Sequence, residues 1–301
     1  DPLMLHFGLY RHKQFAVDSF EALREELSPF VVEYAHDGAD TSVAILRDSR
    51  DDDIYMKVNG KTDAGTGSDM TTQLWLGHLG MFLSSAAIAP EASAGEATKA
   101  LVIGLGSGIT AGAVLSHPRT QVDVVEISEA VVEGSRYFSA YNGDIFANPN
   151  FHLHVGDAKE FFKLRPRDRY ELIVSEPSNP WISGIGNLFS LEYFSEIKGH
   201  LTSSGVLVQW IHLYELNDEL LSVILNTVRR VFPHVEIWQC NTWDILIAAS
   251  PNPLHIDPEH LAERLAHPSV AADLNREHLG QEVRTPAVFL LNQVLSGERF
   301  D

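Results

Sequence analysis

Cysteine is all but missing: Cys240 stands alone among 301 residues. A single thiol excludes an internal disulfide and any zinc site built on a cysteine cluster, and it fits a reducing compartment. Positive charge is also scarce, with 22 Lys and Arg against 41 Asp and Glu and a net charge of −19. Gripping a phosphate backbone takes basic patches, so nucleic acid is not an expected partner. The acidic excess serves solubility first, and steering of a cationic substrate second. No apolar run approaches the roughly 20 residues of a membrane helix, and no basic start followed by an apolar core reads as a signal peptide. The patterns G-x-S-x-G, the P-loop and H-E-x-x-H do not occur, so serine hydrolase, P-loop NTPase and zincin chemistry have no warrant.

What is present is enough apolar residue, 45% of the chain, for one large or two modest domains with a real core. Residues 1–95 are expected to hold a helix near 18–27 (DSFEALREEL), a small antiparallel β-sheet from FVVEYAHDG, TSVAILRD and DIYMKVNGK, a helix at 69–83, and a turn-rich linker. Each strand candidate is short, β-branched or aromatic, and closed by Gly, Asp or Asn. Residues 96–255 then alternate strand and helix. ALVIGLG, QVDVVEI, FHLHVGD, YELIVSE, GVLVQWI, HVEIWQ and DILIAAS are the strands. That rhythm predicts an α/β fold: a seven-stranded Rossmann-like sheet of the S-adenosylmethionine methyltransferase kind, behind the small N-terminal β domain. Residues 256–301 read as a helical, polar tail.

The first strand of the alternating region runs into Gly104, Gly106 and Gly108. Glycines there let the backbone turn sharply and let a ligand come close. Ile109 stands where a dinucleotide fingerprint needs its third glycine, which counts against NAD. The next strand ends in Glu126, twenty residues beyond Gly106, where a carboxylate can accept both hydroxyls of a ribose. The third ends at Asp157. Alone, Asp157 is a helix cap and Glu126 an exposed strand-end charge. In order at successive strand tips, the three features point to an adenosine-type ligand.

The fourth strand ends in SEPSNPW, which places Glu176 and Asn179 at the same crevice with Trp181 beside them. Pro177 and Pro180 restrict the backbone before them and would fix the directions of both polar side chains. Trp181 would roof the pocket or stack on adenine or a cation, and the glycines of ISGIGN would let a lid move. The plain alternative is a rigid turn around a packed Trp. Beyond the fifth strand come Gln209, Trp210, His212 and Tyr214; His212 or Tyr214 could assist proton removal, or all four could simply finish the strand. His152 and His154 share a strand face, but no third ligand accompanies them.

These stretches, with VNGKTDAGTGSDMTTQLWLGHL, VEISEAVVEG and GVLVQWIHLY, carry a resemblance. Residues 54–250 resemble the spermidine synthase family of aminopropyltransferases, and most of all a subgroup in which such a domain follows a membrane transporter-like segment. The resemblance implies that Gly104, Gly106, Ser107, Gly108, Glu126 and Asp157 hold the donor, either S-adenosylmethionine or its decarboxylated form. It implies Glu176 as the base, with Asn179, Gln73 and Thr72 around the amine; Trp181, Gln209 and Tyr214, from their places at the strand ends, are expected to join them. An ammonium cannot attack, and a neutral amine can. No metal is expected, since a sulfonium already leaves readily.

The chain departs from the family at several of these points. Glu176 and Asn179 stand for two aspartates, Thr72 for a tyrosine, and Ser107 for an aspartate that would favour a donor without a carboxylate. Three functions therefore follow as expectations: aminopropyl transfer to an amine, methyl transfer from S-adenosylmethionine, or nucleoside sensing without catalysis. By analogy the chain would form a homodimer and lie in the cytoplasm. Its start at Asp1 is compatible with a membrane segment upstream.

Overall fold

The computed structural model describes residue 3 and residues 19–38, 41–84, 97–178, 185–214, 216–276 and 283–296. Asn179 and Trp181, and most of the linker before residue 97, lie outside these.

A helix, Phe20–Leu27, starts on Ser19, whose hydroxyl accepts from the Ala22 amide. It leads into a four-stranded antiparallel sheet of β1 (Phe30–Asp37), β2 (Ser42–Asp48), β3 (Ile54–Val58) and β4 (Lys61–Gly65), in that order. Three of these strands follow from the sequence pattern; β4 is short and carries Lys61 and Asp63 in place of an apolar alternation. The helix Asp69–Leu83 follows, with every residue from Met70 to Leu83 buried. A helix apolar on all sides belongs inside a protein. Gly77 allows this packing, because a Cβ there would meet Ala113 Cβ at 2.7 Å and the Thr110 carbonyl oxygen at 2.9 Å.

The second sheet has β5 (Thr98–Ile103), β6 (Thr120–Glu126), β7 (Phe151–Val155), β8 (Tyr170–Ser175), β9 (Leu201–His212), β10 (His234–Gln239), β11 (Asp244–Ser250) and β12 (Gln293–Leu295). Its order is β12-β10-β11-β9-β8-β5-β6-β7. The strands from β9 to β7 run parallel, and β11, β10 and β12 are antiparallel additions. All seven sequence-predicted strands are present, and the sheet has eight rather than seven. The extra one, β12, comes from the tail, which is otherwise the helices Pro258–Leu265, Pro268–Leu274 and Pro286–Leu290. Three residues between turns carry too little alternation to announce a strand. Phe289 of the last helix stacks on Trp75 at 4.9 Å between ring centroids, so the tail closes over the buried helix.

Alternate residues of the central strands feed two apolar layers. Val102, Val124, Leu172, Val174 and Val208 pack on one side, and Leu101, Ile103, Ile173 and Leu207 on the other. Strands buried on both faces read as nearly continuous apolar runs, which is why these were visible in the sequence. The chain builds outward from β5 through β6 to β7, then restarts on the other side with β8. Strand order therefore reverses between β5 and β8, and open α/β sheets bind ligands outside the strand ends at such a reversal.

Cys240 is buried beside Thr72 and Asp244, and burial pushes its thiol up to about 12. The thiolate is the reactive form. The folded protein is expected to resist a thiol reagent near pH 8 and to take up one equivalent only after denaturation. Fast labelling of the native protein would show that the hairpin between β10 and β11 opens.

Candidate functional site

The reversal point is built by two strand tips. The Gly104 amide donates to the Val125 carbonyl, and the Glu176 amide to the Ile103 carbonyl, both at 2.9 Å. Gly104 has φ of +94°, and a Cβ on it would lie 2.8 Å from the Glu176 carbonyl oxygen. Only glycine accepts that conformation and that approach together. The Glu176 backbone thus rests directly on the glycine turn.

On the β6 side, Glu126 is buried, and its two oxygens accept the Leu105 and Ser128 amides, each at 2.9 Å. Burial raises its carboxyl above the usual range, against the pull of those amides. Each oxygen keeps a second lone pair. Asp157 is exposed and caps the helix Ala158–Leu164, with one oxygen accepting the Lys159 amide at 2.7 Å and the Glu160 amide at 3.1 Å. Between these two carboxylates Ile127 is 71% exposed and Val155 50% exposed. Aliphatic side chains bare to water beside polar groups suit a flat aromatic ring. Sequence reading passed over both; an apolar residue directly after the strand-end acid was the available signal.

On the β8 side lies a cavity of about 290 Å³ lined by Tyr55, Thr62, Asp63, Asp69, Thr72, Gln73, Glu176, Trp210, His212, Tyr214 and Asp244. Glu176 accepts from the Thr110 hydroxyl at 2.9 Å. Although partly open to the cavity, it is otherwise enclosed by protein, and desolvation pushes it up to about 8. A ligand cation beside it would favour its charged form. Gln73 joins the two halves: its amide nitrogen donates to the Gly65 carbonyl at 2.9 Å, and its amide oxygen accepts the Ser107 hydroxyl.

Thr72 and Tyr214 line the cavity as well. Gln209 is fully buried behind it, donating to the Ser175 and Trp210 carbonyls. Gln209 and Trp210 point to opposite faces, as strand alternation requires. Three site residues, Asp63, Asp69 and Asp244, carry no mark in the sequence. Asp63 pairs with Lys61 and accepts the Ser178 hydroxyl at 2.8 Å, tying the β8 loop to the small sheet. Asp69 opens the buried helix, and its carboxyl is raised by burial and by Asp244.

Asp244 collects donors from three elements: the Thr72 hydroxyl and the Asn241 amide at 2.7 Å each, and the Trp210 indole at 3.1 Å. Burial pushes its carboxyl up, but the adjacent His212 and the hydrogen bonds from Thr72 and Asn241 together hold it below the usual range. His212, which the sequence offers as a residue that could assist proton removal or simply finish its strand, lines the cavity beside Asp244. These four residues sit on short strands, at a helix start, at a strand end or on a hairpin, so only the fold brings them together. His152 and His154 share a face as alternation predicts, and both approach Asp123, at 3.5 and 3.0 Å. Among the described residues, no helix is long and apolar enough to cross a membrane.

Comparison with known proteins places the chain in a family. The model of the spermine/spermidine synthase domain matches residues 72–244. A polyamine aminopropyltransferase of Aeropyrum pernix is 26% identical over 77% of this chain and 74% of its own length. Putrescine N-methyltransferase 2 of Nicotiana tabacum is 31% identical over 48% of this chain, which spans 40% of that enzyme. Among solved structures, spermidine synthase in complex with the transition state analogue AdoDATO superposes with a TM-score of 0.70 at 18% identity, covering 89% of this chain and 86% of that one. With more than half of its length matched in sequence and the fold shared nearly end to end, the chain belongs to the spermine/spermidine synthase family.

Proposed function

We propose that this enzyme moves an aminopropyl group from decarboxylated S-adenosylmethionine, or a related adenosyl sulfonium donor, to an amine. One observation carries the reading: Glu176 rests on the glycine turn and also lines a cavity with Asp63, Asp69 and Asp244. A donor laid across Gly104, Gly106, Ser107 and Gly108, with its ribose on Glu126 and its adenine between Ile127 and Asp157, would present its sulfonium to that cavity. Carboxylates gathered there suit an amine. Thr72, Gln73 and Tyr214 would complete the amine's surroundings, with Asn179 and Trp181 on the loop that follows, and Gln209 would support them from behind. With the sulfonium's charge beside it favouring the carboxylate form, Glu176 gives the reacting nitrogen an acceptor. Holding the two reactants in line supplies much of the rate.

Methyl transfer from S-adenosylmethionine is the second reading. Ser107 favours it, because its hydroxyl is spent on Gln73 and it sets no charge against a donor carboxylate. Incubation with each donor and a panel of amines separates the two. Methylthioadenosine as the nucleoside product supports aminopropyl transfer, and S-adenosylhomocysteine supports methyl transfer. Tight nucleoside binding without either product would overturn both.

A further inference from the structure

We propose that His212, aimed by Asp244, is the group that takes the proton from the incoming ammonium in the cavity. The inference rests on the transfer reading above and assigns a step within it. His212 Nδ1 lies 2.6 Å from Asp244 Oδ1, close but off the ring's N–H axis. That proximity favours the neutral ring's proton on Nδ1 and leaves the lone pair on Nε2. Nε2 is buried and meets no hydrogen-bond partner among the described residues, yet His212 lines the cavity. A buried polar nitrogen left without a partner is costly, and a ligand N–H would satisfy it. The rings of Trp210 and Tyr214 flank the imidazole at 3.9 and 4.5 Å between centroids, which fixes its plane.

Asp244 is a positioning residue here. Its hydrogen bonds to Thr72, Asn241 and Trp210 hold it fixed beside His212 Nδ1, where its charge would stabilise the imidazolium that forms when the proton is taken. Glu176 already accepts from the Thr110 hydroxyl, whereas His212 Nε2 has no partner among the described residues. The groups facing His212 are Asp244 from β11, Asp69 from the buried helix, Tyr214 from its own loop with Lys61 bonded to it, and Glu176 across the cavity.

In the transfer, the ammonium gives one proton to Nε2 and becomes a neutral amine. Its lone pair forms the new C–N bond as the C–S bond breaks. The C–S electron pair returns to sulfur, the product nitrogen stays cationic, and His212 later releases its proton to water.

The test uses putrescine with decarboxylated S-adenosylmethionine. His212→Gln should lower turnover about a hundredfold near neutral pH and leave calorimetric binding of methylthioadenosine unchanged, which also reports an intact fold. His212→Ala should regain at least about tenfold of its lost rate when imidazole is added. Asp244→Asn should shift the pH profile of turnover. A His212→Gln enzyme within about threefold of wild type, with the same pH profile, would overturn the proposal. So would a loss that imidazole cannot restore. A wild-type chain that binds the nucleoside but forms no product overturns the transfer reading, and the base role falls with it.

Discussion

Glu176→Gln is expected to lower turnover by about a thousandfold, the range for losing a charged group at the reacting atoms, while donor affinity changes by no more than about threefold. Glutamine keeps the shape and can still accept from Thr110, so the loss isolates charge and proton affinity. The same substitution should stabilise the empty protein. A free glutamate titrates near 4.5, whereas folded Glu176 holds its proton up to about 8. Between those values the folded state binds more protons than the unfolded one, so stability falls as pH rises. Glutamine has no such penalty. The variant's Tm should therefore exceed that of wild type at pH 8 and match it near pH 4. Turnover close to wild type would remove Glu176 from the site, and an equal Tm at pH 8 would mean that its carboxyl is better solvated than the geometry indicates.

Gly104→Ala should weaken nucleoside binding by about three orders of magnitude. Two costs coincide. The residue sits at φ +94°, where an L side chain is strained by about 1–3 kcal/mol. Its Cβ would also press on the Glu176 carbonyl oxygen at 2.8 Å, and that atom is backbone, with no rotamer to swing away. Relief means moving the β8 tip, and with it the carboxylate that faces the cavity. Calorimetry with methylthioadenosine checks this directly. By contrast, Gly143 has a positive φ of +72°, and a Cβ added there would meet nothing within 4 Å, so Gly143→Ala is a fitting control for strain without contact. If Gly104→Ala binds as tightly as that control, close approach at the turn is not what makes the slot.

The donor half of the site was legible in the sequence because it is local. Gly104, Glu126 and Asp157 each follow a strongly apolar strand, and each is marked by the break in that pattern. The amine half was legible at Glu176, His212 and Tyr214 from their places at strand ends, and at Gln73 and Thr72 through family resemblance. Asp63, Asp69 and Asp244 are ordinary acids in ordinary places: a short strand, the start of a helix, the foot of a hairpin. Nothing in their neighbours shows that Asp63 meets Ser178 or that Asp244 meets Thr72. Strand β12 was missed for a related reason. It exists because β10 offers an open edge, and edge pairing is a property of the partner as much as of the segment.

The bond between Thr72 and Asp244 joins residues 172 positions apart, and this orders events at the ribosome. Every described residue assigned to the nucleoside slot has been synthesised by Asp157. The floor of the amine chamber waits for Asp244, nearly ninety residues later. The amine chamber is thus the last part of the site that a growing chain can close, and it closes only when the hairpin carrying Asp244 joins the sheet.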